Sequence, residues 1–228
     1  VDGSGNSFVA GGFCGQIIFG ATTIDGIGCS FSLRHDTFVA KYDTLGTLQW
    51  VAVVTASGAG NPNSEASAIA LDGAGDIYVV GDYDVTATFG GTVLASTGGF
   101  AGTNVFVAKL NGATHTWTWA RRAGGNGFDL GTSLAVSGSN VFVAGTATGA
   151  VTFDAVALTI AGGTGLFLAK YDTDGVVQWV KRTTGTATGV YPQGLQVDST
   201  GSLYTTGYFF GAPTFGVGEA GATALSSS

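Results

Sequence analysis

The chain has 228 residues, of which 40 are glycine, 45% are hydrophobic and only 10% are charged. This composition argues against disorder, because disordered chains are poor in apolar residues and rich in charge. The net charge of −7 argues against a nucleic-acid partner, which needs a surface of clustered lysine and arginine. The most apolar segment, residues 8–21, contains glutamine and several glycines, so no membrane-spanning helix is expected.

Apolar residues fall in short runs that glycine, aspartate, asparagine and serine interrupt, and no helical period is sustained. In chain order, an alternating strand is expected near residues 5–13 (GNSFVAGGF), followed by a loop that carries Phe19 and by the stretch 38–50 (FVAKYDTLGTLQW). That stretch has the pattern of two strands joined by an Asp-led turn, which is typical of a hairpin. The sequence therefore predicts an all-β protein.

The same elements return along the chain. The hairpin recurs at residues 106–119 and 167–179, and a short apolar strand ending in Asp or Ser recurs at 68–72, 133–137 and 194–198. The second strand of each repeat is followed by a glycine, for which we expect close backbone packing: Gly11, Gly81, Gly145 and Gly207. Four antiparallel strands in each of several repeats are typical of a β-propeller, in which every repeat forms one blade.

The repeats divide the chain at approximately 1–66, 67–131, 132–192 and 193–228, and the last is incomplete. We therefore expect one segment, residues 1–228, of a partial β-propeller with about three and a quarter four-stranded antiparallel blades. Propellers usually have about four to eight blades. The chain contains no methionine and starts inside a repeat, so we expect missing blades of a longer protein to complete the ring. The alternative is a neighbouring chain that covers the open edges.

Three motifs link the repeat to a known family. They are a D-x-x-G-[ND]-x-[FY]-V-x-G pattern at residues 2–11 and 72–81, a Phe-Gly pair at 19–20, 89–90 and 215–216, and F-V-A-K-[YL]-[DN] followed by a tryptophan. In these motifs the chain resembles the bacterial β-propeller repeat family often called SBBP, although Ser137 and Asp154 depart from the pattern. The resemblance implies an exported protein of the bacterial surface or the extracellular space, in some cases exported by type IX secretion. It implies little about activity, since the shared residues are structural.

Both cysteines, Cys14 and Cys29, lie in the first repeat. Two interpretations remain open from the sequence. The cysteines are either small buried thiols or a disulfide that closes the loop before the first FVAK strand. The disulfide would add about 3 kcal/mol of stability and would imply an oxidising compartment. A zinc site is not expected, because it would need more cysteine or histidine nearby.

The connections between second and third strands, and between successive repeats, are the long and variable ones. In a meandering blade both kinds emerge at the same face, and variable loops on a rigid scaffold are where binding residues usually lie. The candidate binding residues in these loops are Arg34, His35, Asn61, Asn63, Glu65, Asp84, Asn126, Phe128, Asp129 and Tyr191. Aromatic rings beside asparagine and aspartate can stack on sugars and hydrogen-bond them. The alternative for each residue is an ordinary solvated side chain.

The sequence offers little for catalysis, and no cofactor or metal is expected. His35 lies six residues after Cys29, but the disulfide explains that cysteine better than a nucleophile does. The pairs Asp82/Asp84 and Asp172/Asp174 are the residue types of acid–base pairs or calcium ligands. The second pair belongs to a D-T-D-G sequence that aligns with the turn at residues 43–46, so we expect a turn there.

The sequence thus favours a non-enzymatic scaffold, extracellular or at the cell surface, whose variable loops bind a surface protein or a polysaccharide. One alternative is a structural subunit of an extracellular assembly or fibre, in which blade edges pair between chains. Another is a fragment of a propeller lyase or glycosidase. The binding and enzyme hypotheses differ in whether charged residues converge on one face.

Overall fold

The computed structural model describes residues 1–29, 35–60, 62–97, 102–185 and 189–227. In these residues the protein is all-β, with 66% in strands and no helix, which confirms the predicted class. The described residues accordingly include no helix that could cross a membrane. The largest sheet has ten strands and curls into a half-barrel.

The first repeat forms three main strands and one separate hairpin. Its strands are β1 (Ser7–Phe13), β2 (Gln16–Phe19), β3 (Thr22–Asp25), β4 (Asp36–Tyr42) and β5 (Leu48–Ser57). Strand β4 pairs antiparallel with β1 on one side and with β5 on the other. Strands β2 and β3 pair with each other in the connection between β1 and β4.

The second repeat has the same order with an additional first strand. Its strands are β6 (Ser64–Leu71), β7 (Ile77–Tyr83), β8 (Thr86–Phe89), β9 (Thr92–Ala95), β10 (Asn104–Leu110) and β11 (Trp117–Gly125). Four of them pair antiparallel in the order β6–β7–β10–β11. Strand β8 pairs with β9 and also with β5 of the first repeat.

The third repeat pairs in the same order, and the fourth is shorter. Their strands are β12 (Leu130–Ser137), β13 (Asn140–Phe153), β14 (Val156–Asp172), β15 (Val177–Arg182), β16 (Thr184–Gly185), β17 (Gly189–Val197), β18 (Leu203–Phe210), β19 (Pro213–Phe215) and β20 (Thr223–Ala224). The third repeat pairs in the order β12–β13–β14–β15. Strand β17 pairs with β18, and β19 pairs with both β16 and β20.

Two kinds of contact join successive repeats. The first strands lie side by side, since β6 packs against β12 and β12 packs against β17. In addition, the end of each repeat pairs with the hairpin of the next one: β5 with β8, β11 with the outer half of β13, and β16 with β19. The sequence predicts long loops at these positions, but the segments form hairpins because their alternating apolar residues gain partners from the preceding repeat.

Close approach is confirmed for three of the four glycines after the second strands, Gly81, Gly145 and Gly207. A Cβ atom on Gly11 would meet only an ordinary contact, 3.4 Å from the ring of Phe38. A Cβ atom on Gly81 would lie 2.0 Å from the carbonyl oxygen of Glu65 and 2.7 Å from the ring of Phe106. At Gly145 the corresponding distances are 2.1 Å to the carbonyl oxygen of Leu130 and 2.6 Å to the ring of Phe167. Any side chain here would push the first strand and the phenylalanine apart, so glycine is required by packing.

The tryptophans of the FVAK hairpins pack between repeats. Trp50 stacks on His115, in the hairpin turn of the next repeat, with 4.7 Å between ring centroids. Trp119 is 8% exposed, and its Nε1 donates a hydrogen bond to the carbonyl oxygen of Thr173 at 3.0 Å. Because Thr173 lies in the corresponding turn of the third repeat, each of these tryptophans joins its own repeat to the one that follows.

Candidate functional site

The repeats differ most where the first strand begins and the second strand ends. Glu65 pairs with Asp82 in the second repeat, whereas Tyr191 pairs with Tyr208 in the fourth. The first strands are neighbours, so these positions follow one another along one end of the protein. We call this set of residues the variable rim: His35, Glu65, Asp82, Asp84, Leu130, Tyr191, Tyr208 and Phe210.

The second repeat gives the variable rim an acidic region. Asp82 lies across from Glu65 near the end of β7, and Asp84 follows directly after that strand. Burial, together with the negative charges of Glu65 and Asp84, raises the pKa of Asp82 to about 7. Burial also raises the pKa of Asp84, while a hydrogen bond from the backbone nitrogen of Asn63 opposes that effect. These carboxyl groups are therefore held close together and are incompletely solvated.

His35 extends this acidic region towards the first repeat. Its Nδ1 atom lies 3.5 Å from Oε2 of Glu65, a distance at which the two groups form an ion pair when the imidazole is protonated. A Cβ atom on Gly12 would lie 3.1 Å from both side chains, which shows how closely β1 approaches them. Histidine and glutamate from two different repeats thus meet at one point of the variable rim.

The fourth repeat gives the variable rim an aromatic region. The rings of Tyr191 and Tyr208 stack with 5.0 Å between centroids, and Phe210 packs its edge against both rings. Tyr208 is 47% exposed and Phe210 is 55% exposed. These two exposed rings and the half-buried Tyr191 form an aromatic cluster of a kind that is uncommon on protein surfaces.

Several predicted site residues lie in or beside the variable rim. The structure brings together His35 and Glu65, and it pairs Asn63 with Asp84 through two hydrogen bonds that include their backbone atoms. It places Tyr191 at the equivalent position two repeats later. Arg34 and Asn61 lie outside the described residues.

The segment between β11 and β12 differs from the prediction. Asn126 and Phe128 are exposed, and Asn126 lines a shallow cleft of about 340 Å³ beside β13. Asp129, however, is fully buried, and its carboxylate accepts hydrogen bonds from the backbone nitrogens of Gly125 and Thr148. It occupies the position of the buried Ser64 in the second repeat, so it fixes the backbone and is not available to a ligand.

Four residues of the variable rim were not among the predicted binding residues: Asp82, Leu130, Tyr208 and Phe210. They lie in strands, whereas the sequence pattern indicated binding residues in the connections between strands. A signal was available, because Asp82 and Tyr208 each follow the repeated glycine at Gly81 or Gly207. The residue type after that glycine differs in every repeat, and this difference is the signal that points to both side chains.

The remaining candidate chemistry is accounted for by structural contacts. A disulfide joins Cys14 to Cys29, so Cys29 carries no free thiol for the His35-based site considered from the sequence. The carboxylate of Asp172 accepts hydrogen bonds from the backbone nitrogens of Asp174 and Val176, which closes the predicted turn. Within the described ranges, no group of three or more His, Cys, Asp or Glu side chains is arranged to hold a metal ion.

No family model matches the chain, and no curated protein matches it. Any functional assignment therefore depends on the geometry of the variable rim and on the repeat pattern.

Proposed function

We propose that the chain is part of a non-enzymatic β-propeller of the SBBP type, exported to the cell surface or the extracellular space. Two repeats with four antiparallel strands each, β6–β7–β10–β11 and β12–β13–β14–β15, support a propeller because their first strands lie side by side. The disulfide between Cys14 and Cys29 is compatible with export. In this proposal the described repeats are a partial ring that further blades or a neighbouring chain complete.

We further propose that the variable rim binds a polysaccharide or a surface protein. The observation that carries this proposal is that glycine, phenylalanine and tryptophan positions recur from repeat to repeat, while the residue after the repeated glycine differs in every repeat: Gly12, Asp82, Thr146 and Tyr208. Exposed tyrosines stack on the faces of sugars, and the carboxylates of the acidic region accept hydrogen bonds from hydroxyl groups. The same residue types also suit a protein partner, since aromatic side chains dominate the centres of protein interfaces.

Binding is favoured over catalysis by what surrounds the reactive side chains. His35 lies against Glu65, and Cys29 is held in the disulfide, so Cys29 offers His35 no thiol to activate as a nucleophile. The alternative of a structural subunit is supported by the exposed edges of the terminal repeats. It differs from the rim proposal in requiring contact between copies of the chain.

A glycan array that contains neutral, amino-sugar and sulfated polysaccharides tests the proposal. We expect neutral or amino-sugar chains to bind and sulfated chains not to bind, because the acidic region repels anions. The double variant Tyr208→Ser, Phe210→Ser should lose binding by at least about tenfold, as expected for removal of stacking aromatic rings. Leu45→Ser, at an 89% exposed turn position away from the rim, is the matched control.

Equal glycan binding by the wild type and the rim double variant would contradict the proposed surface. If no polysaccharide binds, the polysaccharide form of the proposal fails. The protein form is then tested by cross-linking to the surface of the source cells, where only contacts that the rim variants abolish and Leu45→Ser retains support it.

A further inference from the structure

Strand β18 has one paired edge and one open edge among the described residues. It pairs with β17 and ends the ten-stranded sheet. In each earlier repeat the equivalent edge is covered by the FVAK strand, always in the same register. The repeated glycine faces the phenylalanine of that strand in all three cases: Gly11 with Phe38, Gly81 with Phe106 and Gly145 with Phe167.

The lysine of the FVAK strand also has a fixed place. Three residues after the phenylalanine, it faces an aromatic residue of the second strand: Lys41 with Phe8, Lys109 with Tyr78 and Lys170 with Phe142. The ammonium nitrogen lies 5.2 to 5.9 Å from the centre of that ring in all three repeats. It also pairs with an aspartate in two of them: Lys41 lies 3.5 Å from Asp2, which occupies the position of Asp198 in the fourth repeat, and Lys109 lies 2.9 Å from Asp76, which occupies the position of Ser202.

The fourth repeat contains the receiving half of this lysine site. Tyr204 occupies the position of Phe8, Tyr78 and Phe142, and it is 59% exposed. Its hydroxyl donates to Oδ2 of Asp198 at 3.1 Å, as the hydroxyl of Tyr78 does to Asp72 at the same distance. A hydrogen bond from the Thr200 hydroxyl, with further bonds from backbone nitrogens, lowers the pKa of Asp198 to about 2, so this carboxylate is charged. An exposed ring beside a carboxylate attracts a cation.

The phenylalanine site is also present and open. Gly207 is exposed, whereas Gly81 and Gly145 are buried beneath a phenylalanine ring. The atoms nearest to a Cβ on Gly207 all belong to Tyr191 and Pro192 of β17.

The neighbouring phenylalanine of the Phe-Gly pair completes this site. In the earlier repeats it packs against the FVAK phenylalanine, with ring centroids 4.9 to 5.1 Å apart: Phe19 with Phe38, Phe89 with Phe106 and Phe153 with Phe167. The equivalent Phe215 is half-buried and lines a cleft of about 170 Å³ together with Gly207 and Val190. This cleft lies where the earlier repeats hold a phenylalanine side chain.

We infer that the open edge of β18 binds an extended peptide segment of the pattern Phe-Val/Leu-Ala-Lys as an additional antiparallel strand. The phenylalanine enters the cleft beside Gly207 and Phe215, and the lysine lies over Tyr204 and pairs with Asp198. Backbone hydrogen bonds to the edge supply affinity, and the two side-chain sites supply register and specificity. The inference rests on the strand register within the chain, so it does not depend on the ligand of the variable rim.

A peptide taken from the chain itself tests the inference. Residues 167–179 (FLAKYDTDGVVQW) contain the required phenylalanine and lysine and a turn that returns the chain. Binding of the labelled peptide to the full chain is measured by fluorescence anisotropy, and the site of binding is mapped by hydrogen exchange. We expect binding that protects the backbone amides of β18.

Single substitutions in the peptide and in the chain distinguish the specific contacts from non-specific hydrophobic binding. In the peptide, Lys170→Gln should weaken binding about fivefold, as expected for a cation–π contact with an ion pair, and Phe167→Ala should weaken it more. In the chain, Tyr204→Ser and Asp198→Asn should each reduce affinity for the wild-type peptide by a similar factor, and much less for the Lys170→Gln peptide. Leu45→Ser in the chain is the control, and circular dichroism checks that every variant is folded.

Absence of peptide binding would overturn the inference, as would binding that Phe167→Ala and Tyr204→Ser leave unchanged. Protection of strands other than β18 would also overturn it. Sedimentation of the chain alone tests whether a second copy of the chain covers this edge instead. Self-association that Tyr204→Ser abolishes, in a protein that does not bind the peptide, would show that it does. Loss of glycan binding at the variable rim leaves these results unaffected, so the two proposals fail separately.

Discussion

Replacing Asp82 by asparagine should change how the stability of the protein depends on pH. Burial, with Glu65 opposite and Asp84 nearby, raises the pKa of Asp82 to about 7 in the folded protein. The folded protein therefore holds a proton on Asp82 that the unfolded chain releases near pH 4. The stabilisation that this bound proton gives to the folded protein is complete below about pH 4 and is lost as the pH rises through about 7.

The size of this loss follows from the difference between the two pKa values. An ordinary value near 3.8 and a folded value of about 7 give an upper bound of about 4 kcal/mol. Glu65 is half-exposed and Asp82 retains some contact with solvent, so screening reduces the effect to about 1–2 kcal/mol. Asparagine keeps the shape of the side chain and carries no charge. The free energy of unfolding of Asp82→Asn should therefore be equal to or lower than that of the wild type at pH 4.5, and higher than that of the wild type at pH 8.

Urea unfolding of both proteins at pH 4.5, 6 and 8, followed by tryptophan fluorescence, measures this difference. Other carboxyl groups titrate in both proteins and cancel in the comparison. Asp174→Asn, at an exposed turn position, is the matched control and should follow the wild type at every pH. A difference between Asp82→Asn and the wild type that stays constant from pH 4.5 to pH 8 would refute the reasoning.

Three further changes test the framework. Trp119→Ala should lower the free energy of unfolding by about 3–5 kcal/mol in denaturant titration, because the indole is buried and bonded to Thr173; a loss below about 1 kcal/mol would mean that it does not pack between repeats. Reducing the disulfide should lower the melting temperature and cost about 3 kcal/mol, and Cys14→Ser should match it without reductant; free thiols in the unfolded, unreduced protein would disprove the bridge. Gly145→Ala should destabilise the protein by at least about 2 kcal/mol in thermal melts. The control Gly73→Ala, whose new methyl group meets open space, should change the stability by less than about 1 kcal/mol. Equal effects of the two substitutions would contradict the packing role of Gly145.

The sequence predicted the parts of the fold that depend on local pattern. Alternation and turn residues define the FVAK hairpins, and the repeated glycines and tryptophans correctly indicate close packing. The connections between second and third strands were expected to be loops, because short segments such as Gln16–Phe19 carry too few residues for a clear alternation. These segments form strands because they pair with strands elsewhere in the chain, and the local sequence does not predict those partners.

The candidate site was only partly predictable for a similar reason. Loop position identified His35, Glu65 and Tyr191, but it also selected Asp129, whose carboxylate is buried and bonded to the backbone. The acidic region depends on Asp82 facing Glu65 across two strands, and that relation requires the register. Burial and cross-strand neighbours decide whether a polar residue is a ligand group or a structural one, and neither is visible in a single segment.

The pairing between the end of one repeat and the hairpin of the next has a consequence for how the protein unfolds. Strands β5, β11 and β16 each hold hydrogen bonds with the following repeat, so a repeat that opens also removes partners from its neighbour. The free energy of opening one repeat therefore includes part of the next, and the repeats should melt as a single cooperative unit rather than one by one. A protease that cuts within the Thr86–Phe89 strand would accordingly loosen two repeats at once.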